Sequence, residues 1–220
     1  MVRRVTAQIL ATHAEQRFGI SFSISSNMKN PLDTFHDWLD DAARRGVHEP
    51  SAMALATVDP DGKPSVRMVL LKEATENGFV FYTNLESPKV CALKANPQAA
   101  LCFYWNPPGR QVRIEGVVEP IAESDADAYF ASRPYLSRIG AWASRQSQPL
   151  KTPAELERAV AATMIKYPRG RVPRPPHWSG FRLVPAVIEL WTEKPFRMHD
   201  RTRYERAANG KGWQSVGLFP

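Results

Sequence analysis

Two cysteines, Cys91 and Cys102, are all that 220 residues contain. A pair cannot build a disulfide framework, and no Cys/His cluster has metal-ligand spacing, so no metal is expected and a reducing cytoplasm is the expected home. No apolar run reaches the roughly 18 residues that a membrane-spanning helix needs. Arg3 and Arg4 open the chain, but Thr6, Gln8 and Thr12 interrupt any signal-peptide core. The G-x-G-x-x-G and P-loop motifs are missing, and so are alternating βαβ units, which argues against a Rossmann or P-loop nucleotide site. No Ser-His-Asp or Cys-His set is suggested, and both cysteines sit in apolar stretches where packing is the expected role. The net charge is +7, yet no basic block of the kind that binds nucleic acid occurs. Cations are spread singly among apolar and aromatic residues, a pattern that favours separate anion pockets over an electrostatic stripe.

What is present is an ordinary globular composition, 43% hydrophobic and 10% aromatic. The length suits one domain with a terminal extension: 1–29 reads as a mobile arm and 30–220 as the domain. A helix is predicted over 31–45, with Asn30 as cap, Pro31 at the first position, a stripe of Leu32, Phe35, Trp38 and Leu39, and Gly46 as stop. Period-two segments at 51–58, 64–72 and 78–83 read as strands, with Asp59-Pro60-Asp61-Gly62 and Glu76-Asn77-Gly78 as turns. Ser87-Pro88 opens a short helix to about Lys94. Strands return at 99–105 and 111–119, where Val112, Ile114, Gly116 and Val118 share a face opposite Arg113 and Glu115. Helices follow at 124–132 and 153–166, the second with a Thr152/Glu155 capping box. After a Pro-rich connector at 168–178, strands are expected at 186–191, 196–206 and 213–219, with Asn209-Gly210 in the last hairpin loop. This order suggests a mainly β protein with helical decoration, an antiparallel barrel.

Several constellations could carry chemistry. As part of a strand, Arg197-Met198-His199-Asp200-Arg201 projects Arg197, His199 and Arg201 from one pleated face, an arrangement best tolerated against something anionic or electron-rich. Arg67 and Lys72 put a cation on each face of an otherwise apolar strand. Lys89, in the first turn of a helix, opposes the helix dipole unless an anion is bound there. Tyr129 and Arg133 are i and i+4 neighbours, with Ser137 following, a donor set suited to a phosphate monoester. Residues 140–147 carry small and hydrogen-bonding groups and read as a loop or helix end that a ligand approaches closely.

Together the segments R-M-V-L-L-K (67–72), F-Y-T-N-L-E-S-P-K (81–89), R-Q-V-R-I-E-G (110–116), S-R-P (132–134), I-G-A-W-A-S-R-Q-S (139–147), E-L-W (189–191) and R-M-H-D-R (197–201) resemble the pyridoxamine 5'-phosphate oxidase family. The resemblance covers about 30–220 and implies an antiparallel, Greek-key-like split β-barrel that dimerises, with FMN held in two clefts at the dimer interface. It implies that Arg67 and Lys89 bind the FMN phosphate, while Met68, Val69, Leu70, Leu71, Lys72, Tyr82 and Thr83 line the flavin. Gln111, Gln146, Ser147, Trp191 and Arg201 would complete the cofactor site. Lys72, Tyr129, Arg133 and Ser137 would hold the substrate phosphate, and Arg197, Met198 and His199 would flank the pyridine ring, with Arg197 and His199 as the catalytic pair. The implied reaction is oxidation of pyridoxamine or pyridoxine 5'-phosphate to pyridoxal 5'-phosphate, by hydride transfer to the flavin and reoxidation by dioxygen to hydrogen peroxide. The chain departs from the family's pattern at Pro88, where a second basic residue is common, and at Gly217-Leu218-Phe219-Pro220, where an R-L-x-P is usual. The alternatives are a related FMN enzyme acting on a phenazine precursor, or a non-catalytic basic barrel that binds nucleic acid.

Overall fold

The computed structural model describes residues 30–168, 171–207, 210 and 212–220. The expected arm at 1–29, and Asn209 of the expected hairpin loop, lie outside the described residues. Helix α1 (Pro31–Arg44) starts as its sequence predicts: the Asn30 side chain accepts the Leu32 N–H at 3.1 Å, and Pro31 occupies the first turn. Its stripe buries Leu32 and Phe35, with Trp38 and Leu39 packed against the same core. Phe35 meets Phe79, Phe103 and Trp105 at ring separations of 5.2, 5.1 and 5.9 Å, so the helix closes one mouth of the sheet.

Among the described residues, nine strands form one antiparallel sheet. They are β1 (Ala52–Val58), β2 (Pro64–Leu70), β3 (Glu73–Thr75), β4 (Gly78–Asn84), β5 (Gln98–Trp105), β6 (Arg110–Pro120), β7 (Trp178–Thr192), β8 (Asp200–Arg206) and β9 (Trp213–Gly217). The order is β2-β1-β5-β6-β7-β4-β3, with β8 beside β7 and β9 beside β8. Strand β7 organises the architecture. One of its edges runs along β6, while the other pairs first with β4 and then with β8. Two strands sharing one edge split the sheet, which curls into a half-barrel about the core. In β6 the expected alternation holds, with Val112, Ile114, Gly116 and Val118 buried. Helices α2 (Pro88–Ala95), α3 (Glu123–Ser132), α4 (Tyr135–Ala143) and α5 (Pro153–Lys166) decorate the sheet.

The structure corrects several local expectations. Strand β7 begins at Trp178, so the connector is shorter and the strand far longer than 186–191. A mid-strand proline reads as a break because it cannot donate to a ladder. Pro185 is accommodated at a register shift opposite Gly116, where a Cβ on Gly116 would stand 2.0 Å from the Val184 carbonyl oxygen. The strand expected at 196–206 begins only at Asp200. Before it, Pro195–Arg197 form a 3₁₀ turn in which Phe196 and Arg197 have φ of +59° and +60°. A left-handed pair cannot continue a pleat, so Arg197, His199 and Arg201 do not share a strand face. The capping box at Thr152 does not form either. The Glu155 carboxylate instead takes Arg145 and the Lys151 N–H. Residues 135–143 form helix α4, whose end and following loop make up the 140–147 stretch as expected, whereas Cys91 is exposed, not packed.

Candidate active site

Strand β2 delivers Arg67 to the inner side of the sheet, while Val66, Met68 and Leu70 point outward and are exposed. The Arg67 guanidinium donates to the Leu55 carbonyl at 3.0 Å, the Thr57 hydroxyl at 2.8 Å and the Ser65 hydroxyl at 2.6 Å. Lys89 sits in the first turn of α2 with only 9% of its surface exposed. Its ammonium donates to Thr83 Oγ1 at 3.0 Å, Ser87 Oγ at 2.9 Å and Gln146 Oε1 at 2.7 Å. Ser87 occupies the expected cap position, yet its hydroxyl serves Lys89 and donates to the Asn84 carbonyl instead of capping the helix. Every acceptor around these two cations is neutral, and among the described residues neither has a carboxylate partner. Burial, and secondarily the neighbouring Arg67 charge, push the Lys89 ammonium down to about 8. A buried ammonium beside a guanidinium, at a helix N-terminus, is the chemistry of a phosphate monoester site.

A second group lies where β4, α3 and the start of β7 meet. Tyr82 stacks on Tyr129 at 4.1 Å and on Trp178 at 5.1 Å. Arg133 lies one residue past the end of α3, with extended backbone, so its pairing with Tyr129 is not a helical i,i+4 contact. The two share this aromatic cluster because Arg133 folds over the rings of Trp178, at 4.9 Å, and Phe130, at 5.6 Å. Its Nη1 is buried without a partner, and burial lowers the guanidinium's proton affinity. Burial, then the Tyr129 charge, raises the pKa of Tyr82. Lys72 follows β2 and is exposed, its N–H donating to the Val80 carbonyl at 2.9 Å. Ser137, in α4, is exposed.

The third group lies at one end of β6, β7 and β8, where Gln111 is opposite Trp191 and Trp191 opposite Arg201. The Arg201 guanidinium donates from Nε at 3.0 Å and Nη2 at 2.8 Å to Glu189, and from Nη1 at 3.0 Å to the Phe219 carbonyl. Glu189, 7% exposed, also takes Arg113 at 3.3 Å. His199 packs on Trp191 with ring centroids 4.7 Å apart. Its Nδ1 accepts the Lys194 N–H at 3.2 Å, so the neutral ring carries its proton on Nε2. Arg197 and Met198 are exposed on the turn before β8, and Ser147, with φ of +66°, is exposed beyond α4. The structure thus brings Arg67, Lys89, Thr83 and Gln146 together, then Tyr82, Tyr129 and Arg133, then Gln111, Trp191, His199 and Arg201. Among the described residues no hydrogen bond or ring contact links the third group to the first two. Trp178 and Glu189 were not anticipated as site residues. A glutamate inside the apolar stretch 186–191 was the available signal for the second.

Residues 39–166 match the family model described as pyridoxamine 5'-phosphate oxidase, and 178–220 match the pyridoxine 5'-phosphate oxidase C-terminal dimerisation region. The chain belongs to the pyridoxamine 5'-phosphate oxidase family. It is 54% identical over 190 residues to the pyridoxine/pyridoxamine 5'-phosphate oxidase of Azorhizobium caulinodans, covering 86% of this chain and 90% of that protein. The enzyme of the same name from Rhodospirillum rubrum is 54% identical over 197 residues, covering 87% and 97%. Among solved structures, PhzG from Burkholderia lata, in complex with tetrahydrophenazine-1-carboxylic acid, superposes with a TM-score of 0.83 at 31% identity, over 91% of this chain and 98% of that one. A pyridoxamine 5'-phosphate oxidase-related, FMN binding protein from Nostoc punctiforme reaches a TM-score of 0.71 at 20% identity, over 87% and 99%, and shares the family's split-barrel fold. Among the described residues no helix is long and apolar enough to cross a membrane.

Proposed function

We propose that this protein is an FMN-dependent oxidase that converts pyridoxamine 5'-phosphate and pyridoxine 5'-phosphate to pyridoxal 5'-phosphate. The observation that carries the reading is a pair of separate cationic sites without acidic partners, Arg67 with Lys89 and Arg133 on its aromatic bed. Two phosphate monoesters, one on the cofactor and one on the substrate, account for two such sites. Relatives above 50% identity along most of the chain bear the same name. FMN, when bound, would supply the hydride acceptor for oxidation at the substrate's C4' carbon, with dioxygen as the final electron acceptor.

Arg67 and Lys89 would hold the FMN phosphate, assisted by Thr83, Gln146 and Ser147, with the backbone and side chains of 68–72 and Tyr82 beside the flavin. Arg133, Tyr129, Ser137 and Lys72 would hold the substrate phosphate and fix the ring's distance from the flavin. Arg197, Met198 and His199, on a turn whose φ values keep it out of the pleat, would cover the pyridine ring. His199 would offer its Nε2–H there as a hydrogen-bond donor. Gln111, Trp191 and Arg201 belong to the group that stands apart from the phosphate sites in one chain, so the complete site would be assembled from two protomers. The exposed row of Val66, Met68 and Leu70 on a strand at the end of the sheet supports a homodimer, since an uncovered apolar edge invites pairing. The residues matching the family's dimerisation region support the same assembly.

The test is an absorption spectrum. Purified protein should be yellow, should bleach on anaerobic addition of pyridoxine 5'-phosphate, and should release hydrogen peroxide when air is admitted. A colourless protein that neither binds FMN nor turns over removes the proposal. A second reading, an FMN oxidase of phenazine precursors, is favoured only by the likeness to PhzG. Arg133→Ala distinguishes the two, because it should cripple turnover only if the substrate carries a phosphate.

A further inference from the structure

We propose that Trp178 is a positioning residue for the substrate phosphate, its indole setting the plane and reach of the Arg133 guanidinium. This rests on the oxidase reading above. Arg133 has no acidic partner among the described residues, and its Nη1 has no hydrogen-bond partner. It sits beyond the end of α3, where the backbone has turned extended toward Pro134. A long side chain so placed has many rotamers to lose, and among the described residues no hydrogen bond or ion pair holds it. What does hold it is aromatic surface: the Trp178 ring at 4.9 Å and the Phe130 ring at 5.6 Å.

Trp178 is itself fixed from several sides. It is 7% exposed and lies opposite Asn84 at the end of β4. Phe130 meets its ring edge-on at 5.0 Å, and Tyr82 lies parallel to it at 5.1 Å with an interplanar angle of 9°. Its backbone N–H donates to the Pro175 carbonyl at 3.0 Å, and its backbone carbonyl accepts from Arg174 Nη1 at 2.8 Å. Arg174 also grips Asp127 at 2.6 Å and Glu123 at 3.6 Å, both on α3. The same arginine therefore ties Trp178 to the helix that carries Tyr129 and leads into Arg133. Through Tyr82 the slab touches the strand that also carries Thr83, a partner of Lys89. One indole thus orders the Arg133 donor at the substrate-phosphate group. The buried Nη1 is left without a partner in the ligand-free fold, a donor that a phosphate would satisfy.

The experiment compares the holoenzyme with Trp178→Phe and Trp178→Leu. Each is read by flavin absorbance for FMN content, by steady-state oxidation of pyridoxine 5'-phosphate, and by anaerobic calorimetric titration with pyridoxine 5'-phosphate and with pyridoxine. A guanidinium held on an indole predicts that Trp178→Leu weakens binding and raises KM for the phosphate ester by about three- to thirtyfold. Pyridoxine binding, kcat and FMN content should stay within about twofold, the pattern of lost uniform binding. Trp178→Phe should fall between, because it keeps a weaker aromatic face. An unchanged preference for the phosphate ester in Trp178→Phe and Trp178→Leu overturns the inference, as does equal weakening of both ligands or a fall in kcat with FMN loss. Should Trp178→Leu fail to fold, Trp178→Phe decides alone. A wild-type holoenzyme that binds the ester but does not oxidise it overturns the oxidase reading instead, and the titrations still decide the role of Trp178.

Discussion

Lys89 is a cation that the ligand-free fold holds at a cost. A fall from 10.5 to about 8 corresponds to roughly 3 kcal/mol between its charged and neutral forms. Below pH 8 the ammonium is charged in folded and unfolded chains alike, and the fold bears the whole desolvation cost. Between about pH 8 and 10.5 the folded chain has released the proton while the unfolded chain keeps it, so this group's contribution makes stability rise with pH. Lys89→Met removes the titration. The stability of the FMN-free wild type should therefore gain on that of the variant by up to about 3 kcal/mol from pH 7 to pH 10.5, or roughly 6–12 °C in melting temperature at 2–4 °C per kcal/mol. FMN binding should show the complementary trend. A phosphate needs the charged ammonium, so wild-type affinity should decline above pH 8 while that of Lys89→Met stays level. At pH 7 the variant should bind FMN about ten- to a hundredfold more weakly, the worth of one charge-assisted hydrogen bond. Thermal scans of FMN-free protein and fluorescence titrations with FMN, both from pH 7 to 10.5, are the assays. A wild-type-to-variant stability gap that does not change with pH, together with parallel FMN profiles, would refute the argument.

Two further perturbations separate groups that the sequence places side by side. Arg197 is exposed with no ion pair among the described residues, so Arg197→Ala should lower turnover while leaving melting temperature and FMN content unchanged. Arg201→Ala should do the reverse at first order: it strips the buried Glu189 of its two shortest bonds, costing about 2 kcal/mol of stability, and weakens FMN retention measured by gel filtration. Gly116→Ala would drive a methyl group to 2.0 Å from the Val184 carbonyl, and the bulge that admits Pro185 has no room to yield. Chemical denaturation should register a loss of about 1–3 kcal/mol, whereas Gly140→Ala, with open space at its Cβ, should be nearly neutral.

Local features were legible wherever the physics is local. The Asn30 cap, the turn at Asp59 with Gly62 at φ +81°, and the alternation of β6 follow from hydrogen-bonding reach, backbone freedom and side-chain period within a few residues. Misreadings fell where a distant segment supplied the deciding contact. Pro185 lies inside a long strand only because Gly116 of β6 makes room for it. Glu155 abandons its capping role because Arg145 stands nearby in the fold. Ser87 is a local exception, its hydroxyl engaged by Lys89 two residues on and by the Asn84 carbonyl instead of the helix N–H groups.

The stretch 197–201 shows the same division. By itself the sequence determined that three cationic or near-cationic groups stand close together there, and that cations elsewhere are dispersed in a way that fits phosphates. Its resemblance to one oxidase family named the residues to follow. Only the tertiary structure decided which of them meet. The left-handed backbone of Phe196 and Arg197 breaks the pleat, leaving Arg197 exposed, His199 on Trp191 and Arg201 on Glu189. Arg67 and Lys89, on a strand and a helix 22 residues apart in sequence, come near enough for the Arg67 charge to disfavour the ammonium, because Arg67 lies against Thr57 of β1 and Lys89 reaches back to Thr83 of β4. Side-chain period fixes the face on which a residue lies, and only the closing of the sheet fixes what that face meets.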